Sequence, residues 1–176
     1  MAAVTPDPPP PAVTTPTDQV RDRDATGRPT NARMRDALGR PLPRGVPGYL
    51  GEPQEPLTGP QDALDRAQAF LDGGRAFAAH EVLEAAWKAA PAAERQLWQG
   101  LAQLAVGHTH LQRGNGTGAL RLLRRGAGRL AAVEVPAPHG IAVRELLATA
   151  RQTEKLLEAG VPTEKITARL CWLLRG

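Results

Sequence analysis

Proline is distributed so unevenly that it divides this chain of 176 residues into two kinds of sequence. Thirteen of the 17 prolines lie in residues 1–60, and only four follow. Proline has no amide hydrogen and clashes with the preceding helical turn, so a proline-rich segment forms neither regular helix nor central strand. A compact fold must therefore be built mainly from residues 61–176.

The proline-rich part separates further by its apolar content. Residues 1–30 have no apolar periodicity, which predicts a largely disordered tail with polyproline II character. Residues 31–60 contain scattered apolar side chains, among them Met34, Leu38 and Tyr49. Two interpretations of this second segment remain open: an irregular arm packed on the domain, or a continued linker.

From residue 61 onward, apolar residues recur with the helical period, and start and stop signals separate the segments. The predicted helices cover residues 61–72, 75–89, 92–113, 117–133 and 139–159, with a short sixth, EKITARLCWLL, capped by Thr163. Because the connections are short, neighbouring helices should be antiparallel. The sequence therefore predicts an all-α fold, a compact bundle of five to six antiparallel helices over residues 61–176.

Cysteine content and hydropathy limit the class of protein. The single cysteine, Cys171, excludes an intramolecular disulfide and a cysteine-based zinc site. Its place beside Trp172 in an apolar segment predicts a core position. No secretory leader is visible, and no apolar run reaches the ~18–20 residues of a membrane helix. We expect a cytoplasmic protein without membrane contact, whose partners, a second copy included, stay open.

The stretch HEVLEAAW in the second predicted helix places polar residues in an apolar stripe. At 100° per residue, His80 and Glu84 lie on the same side as Leu83 and Trp87, and Glu81 flanks them. An isolated buried carboxylate is very costly. Glu84 must therefore have a partner or be neutral.

The third predicted helix carries a matching polar row. Gln99, Gln103 and His110 lie within one narrow sector of it. We expect His80 and Glu84 to face this row across a contact between the two helices.

Three interpretations of the combined cluster are open. It is a satisfied polar network that fixes helix register, or a site for a divalent metal such as zinc, iron or manganese. For the metal, the candidate ligands are His80, Glu84 and His110. The third interpretation is acid–base chemistry by a histidine–carboxylate pair in a pocket. The sequence itself identifies no cofactor and no catalytic residue.

Glycines and a loop complete the prediction for the third and fourth helices. Gly100 and Gly107 lie one above the other, which predicts close approach by another helix. The segment RGNGTGAL lacks the lysine of a phosphate-binding loop and is interpreted as a tight turn, with Asn115 or Thr117 as the N-cap. His108 points to the leucine side of its helix and is interpreted as structural.

Arginines dominate one face of the fourth predicted helix. They are Arg121, Arg124, Arg125 and Arg129. Such a face could bind nucleic-acid phosphates, but the net charge is only +4 and only six aromatic residues are available for base stacking. The sequence favours a solvated basic face and disfavours a nucleic-acid partner.

Taken together, two blocks of this sequence resemble the DUF309 family of small, mostly bacterial, all-helical proteins. The first is FLDGGRAFAAHEVLEAAWK, and the second is WQGLAQLAVGHTHLQRGNGTGAL. The positions that match the family pattern include the signature polar cluster: His80, Glu81, Glu84, Trp87, Gln99, Gln103, His110 and Asn115.

The resemblance implies an α-helical bundle and implies no activity. Our leading interpretation is a small binding or interaction module whose internal His/Glu/Gln network lines a cleft. The alternatives are a metal-dependent or acid–base, hydrolase-like enzyme that uses His80, Glu84 and His110, and a nucleic-acid-associated accessory protein that uses the arginines of the fourth helix.

Overall fold

The computed structural model describes residues 34–43, 46 and 55–176, and these form an all-α bundle, as predicted. The six helices are α1 (Pro60–Asp72), α2 (Ala76–Ala89), α3 (Arg95–Gln112), α4 (Gly116–Leu130), α5 (Val143–Glu158) and α6 (Thr163–Thr167). Two 3₁₀ turns, Ala92–Glu94 and Pro138–Gly140, precede α3 and α5. None of the helices in the described part of the chain is long and apolar enough to span a membrane.

Helix α3 occupies the centre of the bundle. It packs most extensively on α4 and α2. Along the chain, it follows directly from the 3₁₀ turn Ala92–Glu94. Apolar residues therefore occur on more than one of its sides, and Leu97, Trp98, Leu101 and Leu104 are all almost fully buried. A helix with this pattern must be covered by neighbours on more than one side, and α2, α4 and α6 pack on it, while α1 packs on α2.

Four glycines, which we call the glycine seam, let α3 and α4 approach closely: Gly100, Gly107, Gly118 and Gly126. A Cβ atom on Gly100 would lie 2.9 Å from the Leu130 side chain, and one on Gly126 would lie 2.9 Å from the Gly100 carbonyl oxygen. These separations are shorter than van der Waals contact, so only glycine fits without movement. The predicted close approach at Gly100 and Gly107 is confirmed.

Residues 34–43 fold back on themselves against α2 and α3. Asp36 Oδ1 accepts hydrogen bonds from the amides of Leu38 and Arg40 at 2.9 and 2.7 Å. Arg113 Nε, at the end of α3, donates to the Leu38 carbonyl at 2.8 Å. Gly39 is buried against the Phe77 ring with φ +73°, a conformation that favours glycine. The prediction for residues 1–30 lies outside the described residues.

The C-terminal segment corrects two predictions. The sixth helix ends at Thr167, and Thr163 is its first residue, whereas Pro162 occupies the N-cap position. After α6 the chain is not helical. Trp172 and Leu174 are buried, whereas Cys171, which precedes Trp172, is exposed. The core position predicted for Cys171 is therefore wrong, because burial here alternates with period two, as in an extended strand.

Gln68 of α1 makes two hydrogen bonds to the backbone of this extended segment. Gln68 Nε2 donates to the Trp172 carbonyl at 2.8 Å, and Gln68 Oε1 accepts the Leu174 amide at 2.9 Å. The Leu174 carbonyl in turn accepts the Ala142 amide at 3.0 Å. Backbone groups of a segment without a helix are thus satisfied by a side chain and a loop.

The connection between α4 and α5 also differs from the prediction. Helix α4 ends at Leu130 instead of residue 133, and α5 begins at Val143 instead of residue 139. Between them, His139 has φ 61° and ψ 16°, in the left-handed region. A residue in that conformation cannot continue a right-handed helix, so the fifth helix starts only after it.

Candidate functional site

Helix α2 carries a ladder of three charged or titratable side chains. His80 Nε2 lies 3.4 Å from Glu84 Oε2, and Lys88 Nζ lies 2.9 Å from Glu84 Oε1. Each pair is four residues apart, the spacing at which helical side chains meet. The side chains of His80 and Glu84 are 21% and 34% exposed. Glu84 therefore finds its partners on its own helix, within reach of solvent.

Burial controls protonation at this end of α2. It lowers the pKa of His80 below its ordinary value, although the Glu84 carboxylate acts in the opposite direction. His80 Nδ1 is buried and has no hydrogen-bond partner among the described residues. Burial likewise raises the pKa of Glu81, and Arg35 of residues 34–43 opposes that effect. His80 is consequently a neutral imidazole near pH 7.

The polar row of α3 is bound to α4. Gln103 Oε1 accepts a hydrogen bond from Arg129 Nε at 3.1 Å, and the same guanidinium binds Gln96. Gln99, one turn before Gln103, is half-buried. The interhelical hydrogen bond of this row therefore runs to α4 and not to α2.

His110 and Asn115 organise the turn between α3 and α4. Asn115 Oδ1 accepts the Gly118 amide at 2.8 Å, and Asn115 Nδ2 lies 3.0 Å from His110 Nδ1. Asn115 is thus the N-cap of α4, one of the two predicted candidates. A Cβ on Gly118 would lie 2.6 Å from His110 Nδ1, so glycine is required here. Burial, with help from Arg113, lowers the pKa of His110.

The two predicted rows are not joined in the described part of the chain. No hydrogen bond or ion pair among its residues links His80 or Glu84 to Gln99, Gln103 or His110. Nor does any group of three His, Cys, Asp or Glu side chains in residues 34–43, 46 and 55–176 have an arrangement that could hold a metal ion. The candidate ligands His80, Glu84 and His110 are therefore not brought together.

The remaining predicted residues have packing or pairing roles. Trp87 is half-buried against the main core. His108 is 4% exposed, and burial lowers its pKa to about 4. On α4, Arg124 pairs with Glu154 and Glu158 of α5. The arginine face is therefore partly engaged by the protein's own acceptors.

A second cluster, which the sequence analysis did not identify, lies at the start of α3. Trp98 Nε1 donates to Glu94 Oε2 at 3.0 Å, and His139 Nε2 lies 2.8 Å from the same oxygen. The His139 and Trp98 rings are 5.9 Å apart. These hydrogen bonds, that of Trp98 first, lower the pKa of the Glu94 carboxyl. Glu94 is therefore an ionised carboxylate with one oxygen fixed by two partners.

The backbone at His139 is in a conformation that non-glycine residues rarely adopt. His139 is the one non-glycine residue with positive φ in the described part of the chain, and Gly140 follows with φ +69°. Such residues cost about 1–3 kcal/mol and cluster at ligand and active sites. The Glu94 hydrogen bond is one interaction that holds His139 in this conformation.

A cavity of about 300 Å³ opens beside Glu94, and we call it the Glu94 cleft. It is lined by Leu57, Gly59, Pro60, Ala86, Ala89, Ala90, Pro91, Glu94 and Trp98. Glu94 is the only charged residue in this set. The walls come from the start of α1, the end of α2 and the 3₁₀ turn before α3, so small side chains of α2 leave the space open.

Sequence signals for this cleft were present but weak. The stretch AAWKAAPAA at the end of α2 contains mostly alanine, and such small side chains leave volume unfilled. His139 lies in VPAPHG, where proline and glycine indicate an irregular loop. Glu94 and His139 are 45 residues apart, so no local pattern could have paired them.

Part of the chain is similar to a known protein family. Residues 64–122 match the family DUF309, described as a domain of unknown function. This range contains the predicted signature cluster and also Glu94 and Trp98, whereas His139 lies beyond it. Neither the search of curated proteins nor the search of solved structures finds a similar protein.

Proposed function

We propose that this protein, whose residues 64–122 match the DUF309 family, is a small, non-catalytic binding module whose ligand occupies the Glu94 cleft. The observation that carries the proposal is the cleft itself, an apolar cavity with one fixed, ionised carboxylate in its wall. Small-molecule sites combine largely apolar walls with a few placed polar groups.

Three of the four signature residues on α3 and at the start of α4, Gln103, His110 and Asn115, support this assignment because their side chains bond within the protein. Gln103 bonds to Arg129, and Asn115 bonds to His110 and caps α4. Side chains whose hydrogen bonds are used inside the protein hold the framework and leave recognition to other residues. In our proposal the network of the signature is structural, and the Glu94 cleft, which no signature residue lines, binds the ligand.

Binding is favoured over acid–base catalysis by the position of His139. Its imidazole meets Glu94 through Nε2, yet His139 is not among the residues that line the cleft. A general base must reach the proton that it removes. A ligand in the cleft would meet the carboxylate and the apolar walls, and not the imidazole.

The volume sets the size of the ligand. About 300 Å³ lies at the small end of the range for small-molecule sites. A single ring with a short polar chain fits such a space, and ligands of this size bind weakly because few atoms contribute. We therefore expect affinities in the millimolar to high micromolar range for simple probes.

A neutral probe tests the cleft without invoking charge. We would titrate 2-phenylethanol and follow the indole N–H resonance of Trp98, which lies at the cleft wall, by ¹H–¹⁵N NMR. The variant Ala89→Leu fills the cleft, and Ala85→Leu, on an exposed position of the same helix outside the cleft, is the matched control. We expect saturable binding in the wild type and in Ala85→Leu, and at least about fivefold weaker binding in Ala89→Leu.

Two results would overturn the proposal. One is the absence of saturable shifts at Trp98 in the wild type. The other is equal binding by Ala89→Leu and Ala85→Leu, because the probe would then bind elsewhere on the surface.

A further inference from the structure

The charge of the Glu94 cleft is carried by a single carboxylate with unequal oxygens. Oε2 accepts Trp98 Nε1 and contacts His139 Nε2. Oε1 has no hydrogen bond to any described residue. Glu94 lines this cavity of otherwise apolar walls, and Oε1 is the acceptor of its carboxylate that remains available to a ligand there.

The interaction with Glu94 Oε1 depends on the charge of the ligand group. An anion is repelled, and a neutral hydroxyl gains one ordinary hydrogen bond. An ammonium group gains a charge-assisted hydrogen bond, which is about twice as strong. The half-buried position of Glu94, with its side chain 21% exposed, screens this attraction less than at a fully exposed site.

Backbone carbonyls of α2 add to the preference. Ala89 and Ala90 at the end of this helix line the cleft. The C-terminal end of a helix carries partial negative charge and favours cations. Arg95 at the rim acts against this, since its Nε lies 3.5 Å from the Ala90 carbonyl. Arg95 is exposed, however, so water screens its charge more than that of Glu94.

We propose that the ligand of the Glu94 cleft is a small primary amine, whose ammonium donates to Glu94 Oε1 and whose apolar body packs on Ala86, Ala89 and Pro91. This assignment rests on the proposed binding function and adds the chemical class of the ligand. The cavity size favours a free small molecule as the source of the amine.

Three probes with the same apolar body and different charge test the assignment. They are 2-phenylethylamine, 2-phenylethanol and phenylacetate, each titrated into the full chain at low ionic strength. We expect the amine to bind about tenfold more tightly than the alcohol, as a charged hydrogen bond in place of a neutral one implies. Phenylacetate should bind more weakly than the alcohol, and added salt should reduce the preference for the amine.

Variants locate the preference. Glu94→Gln removes the charge and keeps the shape, so the amine and the alcohol should bind about equally. Glu94→Asp keeps the charge and should retain part of the preference. Glu81→Gln removes a carboxylate of α2 that does not line the cleft, and it should leave the tenfold ratio unchanged. Near-ultraviolet circular dichroism confirms that each variant is folded.

The outcomes separate the two proposals. If the alcohol binds and the wild type shows no preference for the amine, or if the preference persists in Glu94→Gln, the amine assignment is wrong and the binding module stands. If neither amine nor alcohol binds the wild type, both proposals fail. The wild-type comparison needs no variant, so it remains decisive even if Glu94→Gln does not fold.

Discussion

The glycine seam and the Glu94 cleft both depend on small residues, but the seam is closely packed and the cleft is open. In the seam, Gly100 and Gly126 remove side-chain volume, and the helices close the space. In the cleft, Ala86, Ala89 and Ala90 also remove volume, but the backbones stay apart and a cavity of about 300 Å³ remains. Small residues therefore give close packing only where two helices run along each other.

The two regions also differ in hydrogen bonding: polar side chains beside the seam bond within the protein, whereas the cleft has an acceptor without a described partner. Beside the seam, Gln103 and Asn115 bond to Arg129 and His110, so their polar atoms are engaged. At the cleft, Glu94 keeps one oxygen without a described partner. The comparison teaches that membership of a signature and availability for a ligand are separate properties of a residue.

The largest expected effect on stability would come from adding a side chain within the glycine seam. Gly126→Ala places a methyl group 2.9 Å from the Gly100 carbonyl, which the backbone cannot easily relieve. Overpacking of this kind costs about 1–3 kcal/mol. Gly128→Ala, two residues away on α4 with nothing within 4 Å, should instead gain up to about 1 kcal/mol of helix propensity.

The measurement is the free energy of unfolding in urea for both variants. We expect Gly126→Ala to be less stable than the wild type and Gly128→Ala to be at least as stable. Equal stabilities for the two alanine variants would remove the distinction between the seam and the surface of α4.

Two histidines provide the second contrast, because His108 is buried without a partner on Nδ1 and His139 is bonded to Glu94. Burial lowers the pKa of folded His108 to about 4. The unfolded value is about 6.5, so between these values the unfolded chain binds a proton that the folded chain does not. Stability from this group is full above pH 6.5 and decreases as the pH falls toward 4.

For a titration from pH 7.5 to pH 5.0, this linkage predicts a loss of about 2 kcal/mol from His108. His108→Leu should reduce the measured loss in urea unfolding by a similar amount. An unchanged pH dependence in this variant would show that His108 is protonated in the folded state or is accessible to water.

The smallest expected effect concerns the cap at the end of the seam. Asn115→Ala removes the acceptor of the Gly118 amide and the contact with His110. Loss of such a cap costs about 1 kcal/mol. Thr117→Ala, at the other position that the sequence offered as a cap, has no cap hydrogen bond to lose and should change stability by less than about 0.5 kcal/mol. Thermal unfolding of both variants decides, and a larger loss in Thr117→Ala would contradict the assignment.

The fold was largely predictable because its signals are local. Pro60, Pro91 and Gly114 mark helix ends in the sequence, and the observed bounds of α1, α2 and α3 lie close to those expected. The prediction for the last helix was wrong because ITARLCWLL has enough apolar residues to fit either the helical period or the period of two of an extended strand. Burial of Trp172 and Leu174 with exposure of Leu173 shows that the period-two pattern prevailed.

The candidate site was less predictable because it depends on contacts between distant residues. Helical angles correctly placed His80 and Glu84 on one side of α2, where they meet at 3.4 Å. The glycines of the seam pack α3 on α4, and in this arrangement Gln103 bonds to Arg129 of α4 instead of facing α2. The pairing of Glu94 with His139 follows from a loop whose left-handed residue no pattern specifies.

The contacts of Gln68 affect which side chains at residues 171–174 are buried. Its one amide fixes the Trp172 carbonyl and the Leu174 amide at once. In an extended segment, a slip by one residue exchanges the two faces completely. That amide therefore favours a single register at the end of the chain, in which Trp172 and Leu174 are buried and Cys171 and Leu173 are exposed.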